Sequence, residues 1–218
     1  MSSIYGSAAG ANVMFNQNNA SVAFGGTPAP ASTTTYTTPS YDNPPQAISL
    51  YDNPSGGEAS MVGNTCDSTE FNGKTIQSVS FQFKKSGSPS GNIKAELWDN
   101  SSPPQKQGTF GTVSMPTLST SSYTEITFPE EGSADLEFTD GWRIICNSGN
   151  ESDSSNFIRL GYDSDDGSTQ ASTAFAQQDS GVPYTCSSNC SGGCVTPDLN
   201  DFCEQSNDQT AMKVVYED

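Results

Sequence analysis

The chain of 218 residues is 32% hydrophobic and carries 25 acidic against 8 basic side chains, no histidine and a formal charge of −17. That length suits one large β domain or two small ones, with part of the chain left outside any core. Phosphate binding needs clustered Lys or Arg, so nucleic acid and membrane are not expected partners, and no run approaches the roughly 20 apolar residues of a membrane helix.

Residues 1–45 are rich in Ala, Ser, Thr, Asn, Gly and Pro, and Asp42 is their only charge. Such a stretch cannot bury enough area to offset its conformational entropy as a domain. It reads as a disordered tail or as a low-complexity N-terminal arm ordered on a neighbouring subunit, with residues 46–218 as the folded body. The first 30 residues hold no Lys or Arg and no compact apolar block. With Met1 at its start, the chain is expected to lack a secretory leader, to be made in a cytoplasm and to leave in an assembly. Tyr41-Asp42-Asn43-Pro44 recurs as Tyr51-Asp52-Asn53-Pro54. Asn-Pro initiates turns, so two similar turns are expected to bracket a short strand, Ala47 to Tyr51.

The stretch Gly73 to Asp99 carries the clearest pattern. Val79, Phe81 and Phe83 alternate with polar residues, as do Ile93, Ala95 and Leu97. A period of two puts each apolar set on one face. Between the runs lies Ser86-Gly87-Ser88-Pro89-Ser90-Gly91, whose glycines and proline supply a reversal. The expectation is one amphipathic β-hairpin with a single core face. Further strand-like segments follow at Thr109 to Met115, Tyr123 to Phe128, Trp142 to Cys146, Phe157 to Tyr162, Ala171 to Ala176 and Ala211 to Tyr216. No segment sustains a helical period. Such a series predicts an all-β fold, an antiparallel β-sandwich of jelly-roll type.

Here the runs IQSVSFQFKKSGSPSGNIKAELWD, FGTVSMPTLSTSSYTEITF, WRIIC and FIRLGYDS resemble a widespread jelly-roll module. That module has a strand ending in Lys-Lys, a Gly-Ser-Pro-Ser/Thr-Gly turn and a later Leu-Ser/Thr-rich strand pair. It occurs in phage and archaeal-virus structural proteins, in tail fibres and as carbohydrate-binding-like domains of secreted proteins. The likeness covers about Met61 to Asp218 and implies a fold; it brings no catalytic residue.

Without histidine, Ser-His-Asp and Cys-His catalysis and His-ligated zinc are ruled out, and no Gly-x-Ser-x-Gly, Walker or dinucleotide motif is present. A glycosidase needs two carboxylates, but nothing pairs Glu70, Glu96, Glu125 and Glu137, which read as solvated surface carboxylates. No cofactor is required. Asp163, Asp165 and Asp166, with Gly167 for a sharp turn, form the oxygen set that a structural Ca²⁺ takes, with Asp153 and Asp99 as contributors from neighbouring loops. Without the distal bidentate Glu of a full EF-hand loop, the same segment reads first as a solvated acidic turn. Six cysteines are present, Cys66, Cys146, Cys186, Cys190, Cys194 and Cys203. The last four fall in a Gly/Ser-rich loop, 186–203, whose spacing is too open for Cys₄ zinc, so disulfides are expected ahead of free thiols or metal. Connectivity is not deducible from spacing, and Cys66 and Cys146 are open to pairing with each other or with the loop. Trp98 lies on the polar side of its strand, where an exposed indole would stack on a sugar or anchor a subunit, unless the arm or a loop covers it.

The composition and the resemblance together predict a non-enzymatic structural protein of a virion surface, extracellular once released. It would be a capsid decoration or cement protein, or a fibre or spike component, whose arm mediates assembly with further copies and other shell subunits. The alternative is an extracellular carbohydrate-binding module with glycans as partners.

Overall fold

The computed structural model describes residues 11–15, 22–26, 31–51, 60–67, 69–131, 137–149, 153–163, 171–179, 182–184, 202–205 and 208–218. The chain divides into two compact units, Met1–Ser32 and Thr33–Asp218. In the first, β1 (Ala11–Phe15) and β2 (Val22–Gly26) form an antiparallel pair.

The second unit is an antiparallel β-sandwich. Its strands are β3 (Thr33–Thr37), β4 (Gln46–Leu50), β5 (Met61–Cys66), β6 (Ile76–Ser86), β7 (Asn92–Trp98) and β8 (Lys106–Ser114), followed by β9 (Thr124–Pro129), β10 (Arg143–Asn147) and β11 (Phe157–Asp163). The series closes with β12 (Ala171–Asp179), β13 (Val182–Tyr184), β14 (Cys203–Gln205), β15 (Gln209–Thr210) and β16 (Met212–Glu217). The front sheet runs β13-β12-β5-β10-β7-β8, with β14 also on β12. In the back sheet, β6 is flanked by β9 on one side and by β11 and β16 on the other, and β4 and β3 lie beyond these two.

Val79, Phe81, Phe83, Ile93, Ala95 and Leu97 are all fully buried in one core, as their alternation predicts. The predicted hairpin is corrected, however. β6 pairs with β9, β11 and β16, whereas β7 pairs with β8 and β10, so the two strands belong to opposite sheets. The turn crosses the sandwich as an arch, with Gly87 and Gly91 at φ of 67° and 83°, angles that cost glycine little. A side chain at Gly87 would also strike the Ser155 carbonyl, 2.3 Å from its Cβ position. Alternation specifies which side chains face inward; it carries no information on whether the next strand lies beside or across.

Two further boundaries differ from the sequence reading. β3 pairs with β16 from Thr33 to Thr37, so the body starts at Thr33 and 33–45 is not arm. β5 is buried at every position, which is why it shows no alternation. It lies between β10 and β12, and Gly63 leaves no room for a Cβ against the Ile144 carbonyl 2.0 Å away.

A polar tie crosses the core. Thr210 N–H donates to Asn64 Oδ1 at 3.0 Å, while Thr38 Oγ1 accepts from Met212 N–H at 2.9 Å and donates to the Met212 carbonyl at 3.1 Å. These bonds satisfy backbone groups where the last strand breaks at Ala211, between β15 and β16, as buried peptide groups require.

Candidate functional site

The strongest chemical cluster lies on the outer face of the front sheet. Cross-strand register sets Glu96 beside Ile145 and Gly63, and Trp98 beside Arg143 and Thr65. Glu96 is only 3% exposed. Its Oε2 accepts from Trp98 Nε1 at 3.2 Å and Asn147 Nδ2 at 3.0 Å, and its Oε1 faces Lys106 Nζ at 3.5 Å. A carboxylate is tolerated in so dry a place only when paired and hydrogen-bonded. Phe202 closes the cluster. Its ring meets Trp98 edge-on at 5.9 Å and lies 5.3 Å from the Arg143 guanidinium, which donates to the Asp99 carbonyl at 2.9 Å. Met61 and Ile145 complete an apolar cluster separate from the main core.

Trp98 is therefore not an exposed contact: it is 3% exposed, covered by Phe202 from the end of the cysteine-rich loop. Sequence reasoning missed Phe202 and Asn147, because neither stands in a periodic pattern that ties it to Glu96. The pairing of β7 with β10 would have found Asn147.

The back sheet carries a second cluster on its outer face. Lys213 forms an ion pair with Glu125 and lies 5.2 Å from the Tyr41 ring. The hydrogen bond from Lys213 holds the Glu125 carboxyl below its ordinary range, against burial. Burial and the nearby Glu125 charge push the Tyr41 hydroxyl up. Pro44 packs on Gly161, where a Cβ would come within 2.6 Å of its ring. The turn around Tyr41 is thus a strap over the middle of this sheet. Of the four glutamates considered for acid–base work, Glu96 and Glu125 stand on opposite outer faces of the sandwich. Glu70 and Glu137 lie at the end where β6 begins, beside Tyr216 and Thr75 respectively.

Among the proposed calcium ligands, Asp163 ends β11 and accepts a hydrogen bond from Ser40 Oγ; Asp165 and Asp166 lie outside the described residues. Asp99 and Asp153 each serve their own loop. Asp99 Oδ1 accepts from Ser101 Oγ at 2.6 Å and Gln105 N–H at 2.8 Å, and its Oδ2 accepts from Gln107 at 2.7 Å. Partial burial pushes this carboxyl up, and those hydrogen bonds together hold it below its usual range. Asp153 Oδ1 accepts from the N–H groups of Ser155 at 2.7 Å and Asn156 at 2.9 Å, which lowers its pKa. No group of three or more His, Cys, Asp or Glu is placed to hold a metal among the described residues.

Cys66 and Cys146 are buried free thiols, which corrects their expected pairing. Cys146 stands opposite Val62, four rungs from Cys66 along the β5–β10 ladder. At about 3.4 Å per residue this separation is roughly twice what a disulfide spans. Burial pushes both thiols up, aided by Asp67 and Asp140 at Cys66 and by Glu96 at Cys146, so both are unreactive. Cys186, Cys190 and Cys194 lie outside the described residues, and Cys203 is described only by its backbone, in β14.

No family model, curated protein or solved structure matches this chain.

Proposed function

We propose that this chain is a non-enzymatic structural protein of a virion surface, a decoration, cement, fibre or spike component. Its first unit acts as the assembly arm. One observation carries the reading. All 25 acidic and all 8 basic residues fall in Thr33–Asp218, and none in Met1–Ser32. An uncharged, Ser/Thr/Asn/Ala-rich segment meets another protein surface without desolvating a charge. A strongly acidic body stays soluble at high concentration. The likeness of the strand runs to jelly-roll modules of virus structural proteins supports the same assignment, and calcium or disulfides would serve only to brace loops. The alternative reading, a carbohydrate-binding module, loses the aromatic contact named for it, since Trp98 is buried.

The test uses particles purified by density gradient from a culture that makes the protein. The full chain should co-migrate with particles and be labelled on their surface by antibody. Residues 33–218, checked for folding by circular dichroism, should stay at the top of the gradient. Equal incorporation of both forms would overturn the role of the arm, and absence of the full chain from every particle would overturn the virion assignment.

A further inference from the structure

The few cations of this acidic body are not spread evenly. On the outer face of the back sheet Lys84 stands directly opposite Arg159, and like charges so placed destabilise a sheet. Neither makes an ion pair among the described residues. Instead Lys84 Nζ lies 4.3 Å from the Tyr123 ring centre and the Arg159 guanidinium 5.4 Å from that of Phe157. Arg159 Nε is buried without a hydrogen-bond acceptor. Lys85, next in the chain, donates to the Pro116 carbonyl. Asp153, in the neighbouring loop, commits its carboxylate to its own turn.

The opposite end of β6 has the opposite sign. Glu70 and Asp218 act on the hydroxyl of Tyr216, which is paired with Ile76. Glu217 accepts from Gln77 at 3.0 Å, the backbone of Glu137 pairs with that of Thr75 at this end, and Asp67 and Asp140 act on the Cys66 thiol. Lys74 shares this end. From Ile76 to Lys84 the strand spans about 26 Å, several times the ~8 Å screening length of physiological salt. The two ends therefore do not neutralise each other within one molecule.

We propose that the sandwich associates head to tail. The Lys84–Arg159 pair of one copy receives the carboxylates at the start of β6 in the next copy. Because the two patches differ, the contact is heterologous and builds a ring or an open row, as rotation dictates. The inference deepens the structural-subunit reading and rests on it for its setting. Its test does not involve particles, and none of its variants alters residues 1–32.

Sedimentation velocity of the full chain over a concentration series at physiological salt is the experiment. The wild type should self-associate reversibly. Lys84→Glu/Arg159→Glu should weaken association by roughly tenfold or more, as should Glu70→Lys/Glu137→Lys. Lys94→Glu, at an exposed position of the other sheet, should not. An equimolar mixture of the two double variants restores opposite charges at both sides of the contact and should associate again. That recovery separates lost contact from lost folding. A wild type that stays monomeric at every concentration, or a mixture that fails to recover, would overturn the proposal.

Discussion

The two units of this chain stand in contrast. Residues 1–32 contain no charged side chain, and 33–218 contain all of them. In the body even the outer sheet faces use charge structurally. Glu96 is held by an indole, an amide and an ammonium on the front sheet, and Glu125 by Lys213 on the back. The contrast lies in what each unit can offer to a contact. The body has a core of its own, with Phe81, Phe83, Phe128, Leu97 and their neighbours packed together. The first unit has composition suited to a partner surface and no charge to resist it.

The contrast would break if the body depended on the arm. The largest effect is expected at Phe81→Ala, which should cost about 3–5 kcal/mol in urea unfolding because a fully buried ring leaves a cavity. Next comes Glu96→Ala, expected to cost about 3 kcal/mol by stranding two buried donors and Lys106. Glu96→Gln, which keeps an acceptor, should cost about half as much. A value near zero for Glu96→Ala would mean the front-face cluster is decorative.

A smaller effect is expected from Glu125. Its folded pKa lies below the ordinary 4.5, so its pairing with Lys213 stabilises fully above that value and is lost as pH falls through and below it. The glutamate side chain is 41% exposed, so screening keeps the contribution under about 1 kcal/mol. Glu125→Gln should flatten the acid limb of the stability curve by that amount, seen as convergence with wild type at low pH. The smallest effect belongs to removal of residues 1–32, which should move the melting temperature of the body by less than about 2 °C. A larger drop would show that the body needs the arm.

The parts of the fold legible in the sequence were those governed by alternation. The strands around Phe81, Ile93, Phe128, Leu160 and Val214 stand where the pattern placed them, with their apolar sides inward. Alternation was silent where both faces are covered, as in Met61–Cys66, and where composition masked a strand, as in the threonine run Thr33–Thr37. It was also silent on pairing. A reversal of Gly, Ser and Pro fits both a hairpin and an arch, and only the neighbours of β6 and β7 decide between them. The burial of Trp98 was illegible for a different reason: Phe202, about a hundred residues later, has no local pattern linking it to β7. Cys66 and Cys146 share that difficulty, since a disulfide depends on rung-by-rung register that spacing in the chain does not encode.

The most direct test of the account is an image of the native particle at a resolution that traces chains. If the chain is a virion-surface subunit, the sandwich will lie on the outer surface and residues 1–32 against the underlying shell or a neighbouring subunit, with no charged side chain contributed by that segment to the contact. A particle map without this chain, or with the acidic body buried in the shell and the N-terminal residues facing solvent, would contradict it.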